Sequence, residues 1–127
     1  MTPVETVLEF LNRINQHDAG KLAGLMTEDH VFVDSLGRTV RGREKMRAGW
    51  IAYYALCPDY RISHEEILSD GDRVAVFGEA GGTIAANQWR TPAAWRVIVE
   101  SGLVKEWRVY ADNKPVYDIL AKSQAPG

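Results

Sequence analysis

A chain of 127 residues with 46% apolar and 25% charged side chains reads as one globular domain, 1–127, able to build a core without disulfides. Its formal charge of −2 offers no electrostatic footprint for nucleic acid or an anionic membrane. One cysteine, Cys57, precludes an internal disulfide, and no apolar run nears the roughly 20 residues of a membrane span. With no basic-then-apolar leader at the start, a cytoplasmic protein is expected.

Thr2-Pro3-Val4-Glu5 reads as a helix start: Thr2 can cap, Pro3 suits the first turn and Glu5 completes a capping box. Val4, Val7, Leu8, Leu11 and Ile14 then recur at helical spacing, and the helix should end near Gln16. Asp18 can cap a short second helix ending at Leu25 or Met26. Glu28 and Asp29 read as a turn, and 30–34 as a strand that ends on Asp34. Gly37 permits a tight turn, and 39–41 suits a small second strand. A third helix is predicted over Arg43–Leu56, with Met46, Gly49, Trp50, Tyr53 and Cys57 on one face and Pro58 as its stop.

From 59 onward the period changes. The segments 60–68, 73–84, 89–99 and 103–112 read as strands. Short breaks at 69–72, 85–87 and 100–102 favour antiparallel hairpins. The run Gly78-Glu79-Ala80-Gly81-Gly82 can supply a bend or bulge. One helical turn over 117–120 should close a core spanning about 4–120, with 121–127 as a tail. Helices before a run of antiparallel strands predict an α+β fold: three N-terminal helices packed on a strongly curved, mainly antiparallel sheet.

This order resembles the nuclear transport factor 2-like superfamily, and within it the SnoaL-like group. The resemblance is carried by His17-Asp18-Ala19-Gly20-Lys21-Leu22, Val33-Asp34-Ser35-Leu36-Gly37, Arg41-Gly42-Arg43-Glu44 and Glu106-Trp107-Arg108-Val109-Tyr110-Ala111-Asp112. It implies a cone-shaped, cystatin-like roll, with a pocket between helices and sheet and homodimers formed through the outer sheet face. The superfamily hosts isomerases, cyclases, epoxide hydrolases, dehydratases and non-enzymes, so fold does not give reaction.

Asp34 matches the proton-shuttling aspartate of ketosteroid isomerases. Among Phe32, Met26 and Trp50 a carboxylate would be poorly solvated, with a raised pKa suited to a base. The other reading of Asp34 is a cap that accepts hydrogen bonds from the amides of Leu36 or Gly37. The isomerase oxyanion partners are missing, because Phe10 and Pro92 or Ala93 stand at their positions. The polar set of limonene epoxide hydrolases falls on Gly78, Ala80 and Val109. Asp112 lies near the acid/base aspartate of SnoaL-like cyclases, or else caps the turn at 113–115.

Aromatic residues are numerous. Phe10, Met26, Phe32, Trp50, Tyr53, Trp89, Trp95 and Trp107 are the candidate ligand contacts, suited to a flat apolar or polycyclic molecule. His17, with its expected solvated position at a helix end, His30 and His64 have no ligand-like spacing, so no metal is expected, and no cofactor motif is present. Two functions stand open: a cofactor-free lyase, isomerase or cyclase using Asp34 or Asp112 as acid/base, and a non-catalytic small-molecule binding protein.

Overall fold

Thr2 and Glu5 start the chain with a reciprocal cap: Thr2 Oγ1 accepts from the Glu5 amide at 3.1 Å, and Glu5 Oε1 accepts from the Thr2 amide at 3.0 Å. Helix α1 (Pro3–Gln16) follows and buries Val7, Phe10, Leu11 and Ile14. Helix α2 (Ala19–Ala23) is capped by Asp18, which accepts from Lys21 N at 2.9 Å. Then come β1 (Met26–Val33), β2 (Thr39–Arg41), α3 (Arg43–Leu56), β3 (Arg61–Asp70), β4 (Arg73–Ile84), β5 (Asn87–Glu100), β6 (Leu103–Ala111) and α4 (Lys114–Gln124). The computed structural model describes residues 1–124.

The six strands form one sheet in the order β2-β1-β6-β5-β4-β3. Every pairing is antiparallel except β1 with β6, which run parallel with Phe32 opposite Trp107 and Val33 opposite Arg108. β5 alternates strictly: Trp89, Thr91, Ala93, Trp95, Val97 and Val99 are buried, and the residues between them face outward. The concave face so built receives α1, where Val7, Phe10 and Ile14 are fully buried. Asn15 ties α1 to the edge strand: Nδ2 donates to Ile62 O and Oδ1 accepts from Ile62 N, both at 2.9 Å. The expected α+β roll is therefore the fold, and the differences from expectation are local.

β1 begins at Met26, not at residue 30, and α2 stops at Ala23. Met26 and Thr27 are buried, and the expected turn at Glu28 and Asp29 is a register irregularity within the strand, with both acids exposed. The hairpin turns shrink to two residues each. At Ala85 and Ala86 the turn uses left-handed backbone (φ 49° and 66°) without glycine. Asn87 Nδ2 braces this turn by donating to Ala85 O at 2.8 Å.

The bulge expected near the glycine-rich run sits across from it, on β3, where Glu65 is the extra residue between His64 and Glu66. Gly78 faces it, and a Cβ there would collide with the carbonyl oxygen of Ser63. The single closing turn expected at 117–120 is a helix of 11 residues. Residues 121–124 of the expected tail belong to that helix, and 125–127 lie outside the described residues. None of the helices is long and apolar enough to cross a membrane among the described residues.

Candidate functional site

α1 fills only part of the concave face. Beyond it α3 crosses the sheet, burying only Met46 and Trp50, and α4 lies at the far side. Between them is a cavity of about 380 Å³. Its floor is Phe32 from β1, Ala80 from β4, Trp89, Ala93 and Trp95 from β5, and Trp107, Val109 and Ala111 from β6. Its roof is Met46, Gly49, Trp50, Tyr53 and Leu56 from α3, with Val116, Tyr117 and Leu120 from α4.

The aromatic rings hold one another in place. Trp50 meets Phe32 edge-on at 6.5 Å and Tyr53 at 6.3 Å, and Tyr53 meets Tyr60 edge-on at 5.0 Å. Tyr60 stacks on Trp89 at 6.1 Å, and Trp95 on Trp107 at 6.1 Å. Burial drives the hydroxyl pKa values of Tyr53 and Tyr60 upward, so both remain neutral donors. Tyr60 stands beyond α3, outside the run of apolar spacing, and only the rings it joins reveal it.

Of the eight expected ligand contacts, Phe32, Trp50, Tyr53, Trp89, Trp95 and Trp107 line the cavity. Phe10 and Met26 do not. Both are fully buried, Phe10 against Trp107 at 4.8 Å, because α1 packs directly onto the sheet there and leaves no space.

Asp34 does line the cavity, at its mouth, but its carboxylate is engaged. Oδ1 accepts from the amides of Leu36 and Arg38, each at 2.9 Å, and Oδ2 accepts from Arg38 Nε at 2.8 Å. Gly37, at φ 83°, makes the return possible. The expected rise in pKa is corrected by this geometry. Partial desolvation pushes the pKa up, but the amide and guanidinium bonds from Arg38 and the Leu36 amide together outweigh it, and the pKa lies below the ordinary carboxylate value. Asp112 is corrected more simply. It is exposed, lies off the cavity, and accepts from Lys114 N at 3.0 Å to start α4.

The mouth also holds residues that sequence reasoning passed over. Arg38 Nη2 donates to Tyr117 Oη at 3.4 Å, and its Cζ lies 5.9 Å from the Tyr117 ring centre. Asn113 Nδ2 donates to Ser35 Oγ at 3.1 Å. Elsewhere, His17 is not solvated as expected. It stacks on Tyr54 at 4.2 Å, and its Nε2 lies 2.6 Å from Tyr60 O. His30 is fully buried; Nδ1 donates to Val104 O at 2.8 Å, and Nε2 has no partner. Burial pushes the pKa of His30 down. The Cys57 thiol is buried, and burial pushes its pKa up, which makes it an inert group. No cluster of three His, Cys, Asp or Glu side chains suited to a metal occurs among the described residues.

Residues 7–107 match a family model described as SnoaL-like domain. No curated protein sequence matches the chain. Among solved structures, the fold is similar to a hypothetical Catenulispora acidiphila protein with a ketosteroid isomerase-like fold, bound to trimethylamine. The identity is 22%, the coverage 99% of this chain and 96% of that one, and the TM-score 0.81. It is similar also to a Shewanella denitrificans protein provisionally named a SnoaL-like polyketide cyclase (14% identity, 94% and 97% coverage, TM-score 0.83). A third is an M. tuberculosis LEH-like epoxide hydrolase (19% identity, 94% and 86% coverage, TM-score 0.80).

Proposed function

The chain belongs to the SnoaL-like domain family, and from that premise we propose that it is a small-molecule binding protein whose cavity takes a flat, apolar ligand. The observation that carries this reading is the wall itself. Phe32, Trp50, Tyr53, Tyr60, Trp89, Trp95 and Trp107 surround one volume of about 380 Å³, a size and lining suited to a compact molecule. Edge-on and stacked rings present both faces and edges to a flat guest.

The alternative, proton transfer by Asp34, requires a carboxylate free to take a proton. Three N–H bonds and a depressed pKa stabilise the anion instead, which makes Asp34 a weak base. Asp112, exposed and bonded to the Lys114 amide, offers no substitute. Binding is therefore the better-supported function. Saturable quenching of tryptophan fluorescence by naphthalene is the expected result, with Trp50→Ala weakening it about tenfold, or about 1.4 kcal/mol. Absence of saturable binding to the wild type would overturn the reading.

We also propose that two copies pair through the outer sheet face. Phe77, Ala94 and Tyr110 stand in one row across β4, β5 and β6, with Leu68 and Ala75 in the next. Leu68, Phe77 and Tyr110 are exposed large apolar side chains, a grouping that favours a partner surface over water. Sedimentation at micromolar concentration should give a dimer. Phe77→Glu should give a monomer, and a monomeric wild type would refute the pairing.

A further inference from the structure

We infer that the cavity reads two chemistries at once, and that Arg38 recognises an acceptor oxygen, a carboxylate or a carbonyl, at one end of the flat apolar ligand. The inference rests on the binding function proposed above and specifies its ligand class.

Asp34 and Arg38 are the only formally charged residues that line the cavity among the described residues. They sit together on its polar side, where β1 and β6 end. The aromatic side lies over β5 and β4, around Tyr60, Trp89 and Trp95. On the polar side the pattern of bonds leaves donors in surplus. A guanidinium carries five N–H groups. Arg38 uses Nε on Asp34 and one Nη2 hydrogen, weakly, on Tyr117. Ser35 Oγ receives the Asn113 amide at 3.1 Å, which leaves its own hydrogen to give.

Asp34, by contrast, already accepts three bonds. Its role is to anchor Arg38: Nε is tied down on Asp34, and Nη2 meets Tyr117 Oη at the long distance of 3.4 Å. That makes Asp34 a positioning residue and Arg38 the recognising one. A ligand that brings a hydrogen-bond acceptor completes this set of donors. A plain hydrocarbon leaves it to water.

Three probes separate the possibilities: naphthalene, 2-acetylnaphthalene and 2-naphthoate, each titrated by tryptophan fluorescence at low salt. The wild type should bind both oxygenated probes about threefold tighter than naphthalene, the factor left to a hydrogen bond from a guanidinium that is itself 66% exposed. A preference for naphthoate over the ketone identifies an oxyanion; equal affinity identifies a carbonyl. Arg38→Gln should abolish the preference, costing the two oxygenated probes more than it costs naphthalene. Asp34→Asn should reduce the preference by costing the oxygenated probes more than naphthalene, whereas a purely structural role would cost all three probes alike. Should Arg38→Gln fold poorly, Tyr117→Phe removes only the hydroxyl beside the guanidinium and should lower the preference by a smaller factor.

Equal binding of all three probes by the wild type would overturn the inference and leave the binding function standing. So would an equal loss for all three in Arg38→Gln. Failure of naphthalene itself to bind would defeat both readings.

Discussion

Phe10 and Trp50 look alike in the sequence. Each is an aromatic residue on a 14-residue helix, at helical spacing from other apolar side chains. They finish in different regions. Phe10 is fully buried where α1 presses on the sheet; Trp50 roofs an open cavity where α3 crosses with Gly49 beside it. Trp107 marks the boundary, with Phe10 at 4.8 Å and the cavity also at its surface. Thus one concave face serves as a closed core and as a cavity wall, and the helix above decides which. α1 buries Thr6, Val7, Phe10, Leu11 and Ile14 and leaves no gap, whereas α3 buries two residues and leaves space.

The largest expected effect tests the closed region. Phe10→Ala should cost about 3–5 kcal/mol, because the void left between α1 and Trp107 cannot collapse. Urea denaturation would measure it. A cost under about 1 kcal/mol would mean that the closed region is as loose as the open one.

Next comes Gly78→Ala. Its Cβ would strike the backbone of β3 at Ser63, and overpacking of this kind costs about 1–3 kcal/mol. Because Gly78 lies on the strand that also gives Ala80 to the cavity, the variant should weaken naphthalene binding as well. Stability and binding that both stay unchanged would show the β3–β4 approach to be dispensable.

Asp34→Asn, at the mouth, should lower stability by about 1 kcal/mol through loss of the Arg38 pair and turn bonds. Thermal denaturation would detect it, and a gain in stability would show the carboxylate to be strained rather than satisfied.

The smallest change should come from pH, and it sharpens the contrast from the core side. Burial depresses the His30 pKa below 6.5. The unfolded chain then binds the proton more readily than the folded one, so stability is complete above about pH 6.5 and declines as pH falls toward the folded value. His30→Gln should flatten the stability profile between about pH 7 and 5.5. An unchanged slope would assign it to another group.

Much of the fold was legible because period alone separates its halves. The helical spacing of Val7, Leu11 and Ile14 and the alternation in β5 are strong, local signals. The capping box at Thr2 and Glu5 and the Asp18 cap formed as expected. β1 was misread because Glu28 and Asp29 look like turn residues. The strand tolerates them by slipping register against β6, so that both point to water.

The site was half legible. Trp89, Trp95 and Trp107 share an inward parity that the sequence reveals, but parity cannot separate wall from core, so Phe10 was grouped with Trp50. The same short motif also serves two purposes. An aspartate three residues before a glycine suits a base in a pocket and suits a cap on a turn. The choice depends on Arg38, whose guanidinium takes the carboxylate. Tyr117 and Asn113 could not be assigned to the mouth, because nothing local joins them to residues 79 and 78 positions earlier.

That separation follows from the one parallel pairing. Because β1 and β6 point the same way, both leave the sheet at the same end, and the turn after β1 meets the start of α4 there. During synthesis the turn at 34–38 emerges early, but Asn113 and Tyr117 emerge only after all four later strands. Contacts across 78 and 79 residues carry the loop-closure cost of a long chain segment and slow the search for the native pairing. The mouth of the cavity therefore cannot assemble until the first turn of α4 has been made, and a chain ending before β6 would lack Trp107, Val109 and Ala111 from the cavity floor and all of α4 from its roof.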